Sequence, residues 1–166
     1  MKIWLGVGTL IAAAVLPVAA RHSGLRLNDS ASMPVGFYRV VRSSNTAAIC
    51  LPEATLRTAA SAGLTLRPGD CPDGKEPILK SVYRATPVTP ITFTPSGFIV
   101  GNQVLANTAA KLHSKTGVPL DHLPYGTYTA GLWAISNYNA SSFDSRYFGP
   151  VPESSIRYFV KPFFLF

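Results

Sequence analysis

Short runs of apolar residues alternate with turn-forming residues over most of this chain, after one long apolar segment at its start. Residues 3–20 contain no charged side chain. Further on, β-branched and aromatic residues gather in short runs between Gly, Pro, Asn and Ser, a pattern typical of strands. Short strands joined by turns favour a mainly antiparallel β fold. The pattern predicts strands at 37–41, 47–51, 78–83, 91–94, 98–105, 132–136 and 156–160, with turns at 95–97 and 101–102.

Helical signals are sparse after the apolar segment. One helix is predicted to begin at Pro52-Glu53, because proline is favoured at the first helical position, and to end near Ala62, before Gly63. Residues 24–29 are expected to form a short connector, and residues 107–125 a long surface loop with at most one helical turn. The expected fold is therefore mainly β, of the α+β class, with one or two short helices besides an N-terminal hydrophobic helix.

The N-terminal segment has the properties of an export device. Its 18 uncharged residues, 3–20, are on the border between a membrane-spanning helix and the apolar core of a signal peptide. Small residues before position 21 make cleavage after Ala20 chemically reasonable, and Lys2 favours a cytoplasmic start. We expect residues 1–22 to be this segment and residues 23–166 to form one periplasmic domain. That domain is either anchored at the outer face of the inner membrane or released by cleavage.

Composition and charge indicate which kinds of molecule the protein is expected to bind. The chain has 166 residues and a net charge of +7, and 47% of its residues are hydrophobic, which suits one globular domain. Its basic residues are scattered and form no block, so a dedicated nucleic-acid-binding surface is weakly supported. We expect no direct nucleic acid partner, and an anionic membrane surface fits the charge better.

Cysteine and histidine positions give little sign of metal chemistry. Cys50 and Cys71 are compatible with one disulfide or with two free buried thiols. His22, His113 and His122 stand far apart without companion ligands, so no metal and no other cofactor are expected.

A serine-rich stretch, residues 28–39, is the first candidate for chemistry. It places Ser30 and Ser32 just before Met33-Pro34 and an apolar run. On composition alone it is an ordinary turn leading into a strand, because Ser, Asn, Asp, Pro and Gly are common turn residues. A serine hydroxyl becomes a useful nucleophile only when a base activates it, and no histidine pattern accompanies this stretch.

Lys80 is the candidate base. It lies in the predicted strand 78–83 between apolar residues, and burial there would disfavour the ammonium and lower the lysine pKa. The alternative is a solvent-facing lysine on an edge strand.

A third motif near the end of the chain completes a recognisable set. It runs from Ser142 to Glu153 as Ser-Phe-Asp-Ser-Arg-Tyr-Phe-Gly-Pro-Val-Pro-Glu. Together with the Ser-x-Ser-Met-Pro turn and the strand lysine, it resembles the type I signal peptidase superfamily, which uses a Ser/Lys dyad. The likeness is closer to the conjugative transfer signal peptidase branch, TraF, because Pro34 follows Ser32 by two residues and Gly-x-Tyr comes next. The resemblance covers roughly residues 28–160.

The resemblance implies a role for each matching residue. Ser32 would be the nucleophile and Lys80 the general base, while the Ser32 N–H and the Ser30 hydroxyl would form the oxyanion hole. Ser142 would orient the lysine. Asp144 would either pair with an arginine of its own motif or touch the lysine and tune its pKa. The scaffold residues implied by the motifs are Pro34, Gly36, Arg146 and Gly149.

The resemblance also implies a function. We expect a serine endopeptidase that processes an exported precursor, by family likeness a conjugative pilin, either by hydrolysis or by cyclisation through transpeptidation. Other components of a transfer apparatus are possible partners. The alternative is a non-catalytic periplasmic assembly or scaffold protein with the same fold, and a basic nucleic-acid-binding protein is a third reading.

Overall fold

The computed structural model describes residues 24–166, which fold into two antiparallel sheets with short helical segments. The predicted apolar helix and the cleavage position after Ala20 lie outside the described residues. The helical segments are α1 (Glu53–Ser61), α2 (Ser145–Phe148) and a 3-10 turn at Glu153–Ser155. The strands are β1 (Leu25–Asn28), β2 (Gly36–Val41), β3 (Thr46–Ile49), β4 (Ile78–Arg84), β5 (Ile91–Thr94), β6 (Gly97–Val100), β7 (Gln103–Val104), β8 (Gly126–Tyr128), β9 (Leu132–Ile135) and β10 (Ile156–Leu165).

The larger sheet has the strand order β1-β2-β10-β3-β4-β9, and the smaller one has the order β7-β6-β5-β8. Every pairing between neighbouring strands is antiparallel. The prediction of a mainly antiparallel β fold with few short helices is therefore confirmed for the described part of the chain. None of the helical segments in residues 24–166 is long and apolar enough to cross a bilayer.

Strand β9 connects two hydrophobic cores. All four of its side chains are buried, and successive side chains of a strand point to opposite faces. Leu132 and Ala134 pack in one core with α1 and strands β3 and β4. Trp133 and Ile135 pack in the other core with Phe93 and the smaller sheet. A strand buried on both faces explains why this segment lacks the alternation of apolar and polar residues.

Most predicted elements form where expected, with three differences. The connector expected at residues 24–29 is wrong, because Leu25–Asn28 gains strand geometry by pairing with β2 at the sheet edge. The short strand β8 was not predicted, whereas the turn at residues 101–102 that separates β6 from β7 was. The last strand continues beyond residue 160 to Leu165, since a bulge after Pro162 lets it keep pairing with β2.

Helix α1 ends as predicted, at glycine. Ala62 is its C-cap, and Gly63 has a φ of +82°, in the left-handed region that glycine adopts without strain. The 107–125 loop contains no helical turn, and it closes instead on a bridge between His113 and Pro119.

Cys50 and Cys71 are joined in a disulfide with a Cα–Cα distance of 5.6 Å. Cys50 follows β3, and Cys71 lies in the turn before β4, so the bond ties the connection between these strands to the sheet. Because the bond closes a loop over a separation of 21 residues, the chain-entropy argument gives a stabilisation of about 3 kcal/mol.

We predict that Cys50→Ser/Cys71→Ser lowers the free energy of unfolding by about 3 kcal/mol, because its unfolded chain is no longer cross-linked. Urea unfolding at fixed pH measures the loss. The parent protein with its disulfide reduced should unfold at nearly the midpoint of the double variant. Equal midpoints for oxidised parent and double variant would contradict the prediction.

Candidate functional site

Asn28 shapes the turn that carries Ser32. The Asn28 side chain is buried, and its Nδ2 group donates to the carbonyls of Ser30 (3.0 Å), Met33 (3.2 Å) and Pro34 (2.9 Å). Its Oδ1 accepts from the Ser30 N–H at 3.3 Å, the local hydrogen bond that makes asparagine common in turns. Nothing in the sequence distinguishes Asn28 from an ordinary turn asparagine, because β1 is recognised only through its pairing with β2.

The segment after β9 holds the same turn from the other side. Ser136 Oγ donates to the Ser32 carbonyl, and Asn139 Nδ2 donates to the Ala31 carbonyl at 3.0 Å. The Ser136 N–H in turn donates to Asp144 Oδ2 at 2.9 Å. The third sequence motif is thus connected to the Ser32 turn through Ser136. Ser136 and Asn139 have no signal in the sequence, because their contacts join residues more than a hundred positions apart.

The two serines predicted to act together lie side by side. Their hydroxyl oxygens are 2.9 Å apart, and the Ser32 N–H donates to Ser30 Oγ at 3.3 Å. Ser32 is half-buried and Ser30 is exposed. Both hydroxyls are therefore accessible to a molecule that binds against this turn.

Lys80 lies in the interior of the larger sheet. Strand β4 runs between β3 and β9, so the alternative of an edge-strand lysine is wrong. Lys80 is only 3% exposed, and its side chain points to the same buried side as Ile78. Within residues 24–166 its amine has no hydrogen bond or ion pair.

Burial lowers the pKa of Lys80 to about 8. The main cause is desolvation, which disfavours the ammonium form. The Asp144 carboxylate acts in the opposite direction and raises the pKa, while the Arg146 guanidinium lowers it further. A substantial fraction of the amine is thus neutral just above neutral pH, as a general base requires.

Asp144 and Arg146 form a fully buried ion pair. Arg146 Nε is 2.8 Å from Asp144 Oδ1, and Arg146 Nη2 is 2.9 Å from Asp144 Oδ2. Asp144 also caps helix α2 by accepting the Arg146 backbone N–H at 3.1 Å. Of the two roles considered for Asp144, the structure contains the pairing with Arg146. Among the described residues, Asp144 acts on Lys80 through its charge, without a hydrogen bond.

Arg146 also anchors the loops around the site. Its Nη2 donates to the Ser142 carbonyl at 2.9 Å. Four more carbonyl oxygens accept from the same guanidinium, those of Asn107, Ala109, Asn139 and Ala140.

One cavity of about 680 Å³ brings the candidate residues together. The candidates that line it are Ser30, Ser32, Lys80 and Ser142. Asp144 is not part of its wall and lies behind it with Arg146. Among residues 24–166, no group of three or more His, Cys, Asp or Glu side chains is placed to hold a metal ion.

The remaining motif residues act as scaffold. The Pro34 carbonyl accepts from the Tyr38 hydroxyl at 2.8 Å, which fixes the exit of the Ser32 turn. Gly36 lies against β10, where a Cβ atom would come within 2.3 Å of the Phe164 carbonyl oxygen. Gly149 ends α2 with a φ of +72°.

Ser142 is a buried polar side chain that has no hydrogen-bond partner among the described residues. It is 4% exposed, and its Oγ makes no hydrogen bond within residues 24–166. A buried hydroxyl without a partner lowers the stability of the folded state, so its presence points to a role other than stability. Because Lys80 also lacks a hydrogen bond and lines the same cavity, the Ser142 hydroxyl is available to orient its amine.

We predict that Ser142→Ala slows any reaction in which Lys80 acts as the base about tenfold, in the range of a lost positioning hydrogen bond, without lowering the urea midpoint. Stability should be kept because the lost hydroxyl has no partner in the folded state. Ser141→Ala is the matched control, since Ser141 Oγ accepts from Lys111 Nζ at 2.9 Å. Equal activity of Ser142→Ala and Ser141→Ala would contradict the positioning role.

Comparison with known proteins gives relatives over nearly the whole chain. The chain is 31% identical to the conjugal transfer protein TraF of Agrobacterium fabrum (strain C58), over 98% of this chain and 94% of the relative. It is 32% identical to the protein of the same name from Agrobacterium tumefaciens (strain 15955), over 96% and 93%. A plasmid transfer protein TraF of Escherichia coli is 28% identical over 92% and 89%.

No protein-family model and no solved structure matches the chain. The relatives alone therefore carry the assignment. Because identity exceeds 30% over almost the full length of both chains, this protein belongs to the family of conjugal transfer proteins TraF.

Proposed function

We propose that this protein is a serine endopeptidase with a Ser32/Lys80 dyad that processes an exported precursor for conjugal transfer. The observation that carries the proposal is the cavity that Ser32 shares with a buried lysine that forms no ion pair within residues 24–166. Burial of a lysine in such surroundings destabilises the folded state. Amines whose pKa is shifted in this way are concentrated at functional sites. The names of the relatives support the role in conjugal transfer.

In the proposed cleavage, Ser32, Lys80 and Ser30 have different tasks. The neutral Lys80 amine takes the proton of the Ser32 hydroxyl while Oγ attacks the carbonyl carbon of the scissile bond. The resulting oxyanion accepts hydrogen bonds from the Ser32 N–H and the Ser30 hydroxyl. The hydrogen bond from the Ser32 N–H to Ser30 Oγ has to break first. The Lys80 ammonium then gives its proton to the leaving amine, and an ester between Ser32 and the precursor remains.

The ester has two possible acceptors. Attack by water gives a shortened linear product, whereas attack by an amine of the same precursor gives a cyclic one, and either attack regenerates the Ser32 hydroxyl. We propose a pilin-type subunit as the precursor and the periplasmic face of the inner membrane as the place of reaction, with residues 3–20 as anchor or cleaved signal. No cofactor takes part in this scheme.

The test is incubation of the full-length protein with a pilin precursor, followed by mass spectrometry. The parent protein should release a shorter product, and a cyclic product would be lighter than its linear form by one water. Ser32→Ala should give neither, since its residue 32 has no nucleophile. Ser44→Ala is the matched control, because its Oγ only accepts from the Thr46 N–H in a turn outside the cavity.

Processing by Ser32→Ala at the parent rate would overturn the dyad. In that case the non-catalytic assembly protein becomes the better hypothesis, and an intact role of Ser32→Ala in transfer would support it.

A further inference from the structure

Arg67 joins two carboxylates at the rim of the cavity. Its guanidinium donates to both carboxylate oxygens of Asp29, from Nη1 at 2.8 Å and from Nη2 at 2.7 Å. Its Nε donates to Glu76 Oε2 at 3.0 Å. All three residues line the cavity, and the arginine side chain is 61% exposed. The guanidinium therefore bridges two segments of the chain where the cavity meets solvent.

These two segments lead to the two residues of the proposed dyad. Asp29 precedes Ser32 by three positions, and Glu76 precedes Lys80 by four. Lys80 forms no hydrogen bond within residues 24–166, so none joins it to Ser32. In the larger sheet, strands β2, β10 and β3 lie between β1 and β4. Contacts across the cavity must therefore set the position of the Ser32 turn relative to β4.

Arg67 and Glu76 belong to a tightly bonded hairpin in front of β4, residues 67–76. The Glu76 N–H donates to the Arg67 carbonyl at 2.7 Å, and the Arg67 N–H donates to Glu76 Oε1 at 3.1 Å. A Cβ atom at Gly69 would come within 2.3 Å of the Glu76 Cα, so this close approach needs a glycine. The disulfide bond of Cys71 ties the same hairpin to the end of β3. The hairpin thus gives the guanidinium a fixed support.

The hydrogen bonds from Arg67 hold the start of the Ser32 turn. Within the described part of the chain, no other hydrogen bonds join residues 28–34 to the hairpin. These bonds favour the ionised carboxylate and lower the pKa of Asp29 below its usual value. Asp29 is therefore ionised at any pH at which Lys80 is substantially neutral, so the contact is present when the amine can act as a base.

Stability alone does not account for this arrangement. An exposed ion pair contributes little to the free energy of unfolding, because water screens the charges and ordering of long side chains opposes the gain. A planar guanidinium that holds one carboxylate through two parallel hydrogen bonds nevertheless fixes the direction as well as the distance of its partner. The contact is thus better suited to placing the turn than to stabilising the fold.

We propose that Arg67 is a positioning residue, which holds the Ser32 turn at a fixed distance from the strand of Lys80. Ser136 and Asn139 hold the middle of the turn from the segment after β9, and Arg67 holds its start from the hairpin before β4. Arg67 touches no reacting atom in this scheme. Its effect on catalysis rests on the proposed function, whereas its attachment of the turn does not.

The kinetic test compares Arg67→Gln with Arg84→Gln in the full-length protein. Arg84 is a matched control, because its side chain is 62% exposed, pairs with Glu153, belongs to the strand of Lys80 and does not line the cavity. On a pilin precursor, Arg67→Gln should lower kcat about tenfold, since misplaced reacting groups slow the chemical step. KM and the urea midpoint should stay at the parent values, and Arg84→Gln should keep the parent kcat. Equal kcat of the two variants, or a loss confined to KM, would overturn the positioning role.

Further variants test whether Arg67 acts through Asp29. Asp29→Asn should lower kcat as well, and Arg67→Gln/Asp29→Asn should be no slower than Arg67→Gln, because both changes remove the same contact. Arg67→Lys should recover only part of the rate, since an ammonium cannot hold both oxygens of Asp29 and also reach Glu76. Losses that multiply in the double variant would overturn action through Asp29, and full recovery with lysine would overturn the need for a bidentate contact.

Hydrogen exchange measured by NMR tests the attachment without a substrate. Arg67→Gln should speed exchange of the N–H groups of Ser30 and Met33, which bond within the turn, and leave the Trp133 N–H of β9 protected. Arg84→Gln should change neither. Parent-like exchange in the turn of Arg67→Gln would overturn the attachment. If the parent protein does not cleave the precursor, the peptidase proposal fails, and the exchange result still decides whether Arg67 holds the turn.

Discussion

Lys80→Met is expected to reduce processing about 10³-fold, the usual contribution of a general base. Methionine has nearly the length of lysine and suits a position that is 3% exposed, but it cannot take a proton from Ser32. The measurement is the rate of product formation on a pilin precursor at saturating enzyme. Lys75→Met should be unaffected, because Lys75 is exposed in a turn and does not line the cavity.

The same variant should be more stable than the parent below pH 8. The lysine pKa is about 10.4 in an unfolded chain and about 8 here, so below pH 8 the folded state has to bury an ammonium. That burial costs about 3 kcal/mol, and methionine removes the cost. A large loss of activity with increased stability would distinguish a functional lysine from a structural one. Lower stability of Lys80→Met would contradict this interpretation.

The pH dependence of the parent protein follows from the same shift. Between about pH 8 and pH 10.4 the unfolded state binds more protons than the folded state, so the free energy of unfolding rises with pH across this window. Activity should rise about tenfold per pH unit below 8 and then level off, because only the neutral amine acts as a base. The pH slope of stability should be absent from Lys80→Met.

Arg146→Met is expected to destabilise the fold by about 3–5 kcal/mol, the loss seen when one partner of a buried ion pair is removed. The Asp144 carboxylate would remain fully buried without its counterion, and five carbonyl oxygens would lose a donor. Urea unfolding followed by circular dichroism measures the effect. Arg157→Met, an exposed arginine of β10, is the control and should change stability by less than about 1 kcal/mol.

A double variant identifies the source of that loss. Asp144→Asn/Arg146→Met no longer buries a lone carboxylate and should recover part of the stability. If the double variant is less stable than Arg146→Met, the carbonyl contacts of Arg146, and not the uncompensated charge, determine the loss.

Local patterns predicted much of this fold. The ends of α1 followed from Pro52 and Gly63, and most strands followed from clusters of β-branched and aromatic residues, because these preferences depend on neighbours in the sequence. Strand β1 was missed since its geometry depends on pairing with β2. The continuation of β10 past Pro162 was missed for the same reason, as a proline normally ends a strand unless a bulge accommodates it.

The residues of the candidate site were likewise predicted only in part. Ser30, Ser32, Lys80 and Ser142 were selected from motifs alone, and these residues line one cavity. Asn28, Ser136 and Asn139, which hold the Ser32 turn, carry side chains that are ordinary in any loop. Only the meeting of β1, β9 and the loop after β9 gives them their roles.

The sequence by itself determined the fold class, the turn chemistry around Ser32 and the identity of the candidate residues, because each depends on residue type and spacing. The tertiary structure decided that Lys80 is internal, that Asp144 pairs with Arg146 and that Arg67 reaches Asp29. Burial and pairing of this kind come from strand order, since β4 is shielded by neighbours on both sides whereas β1 is left at the edge.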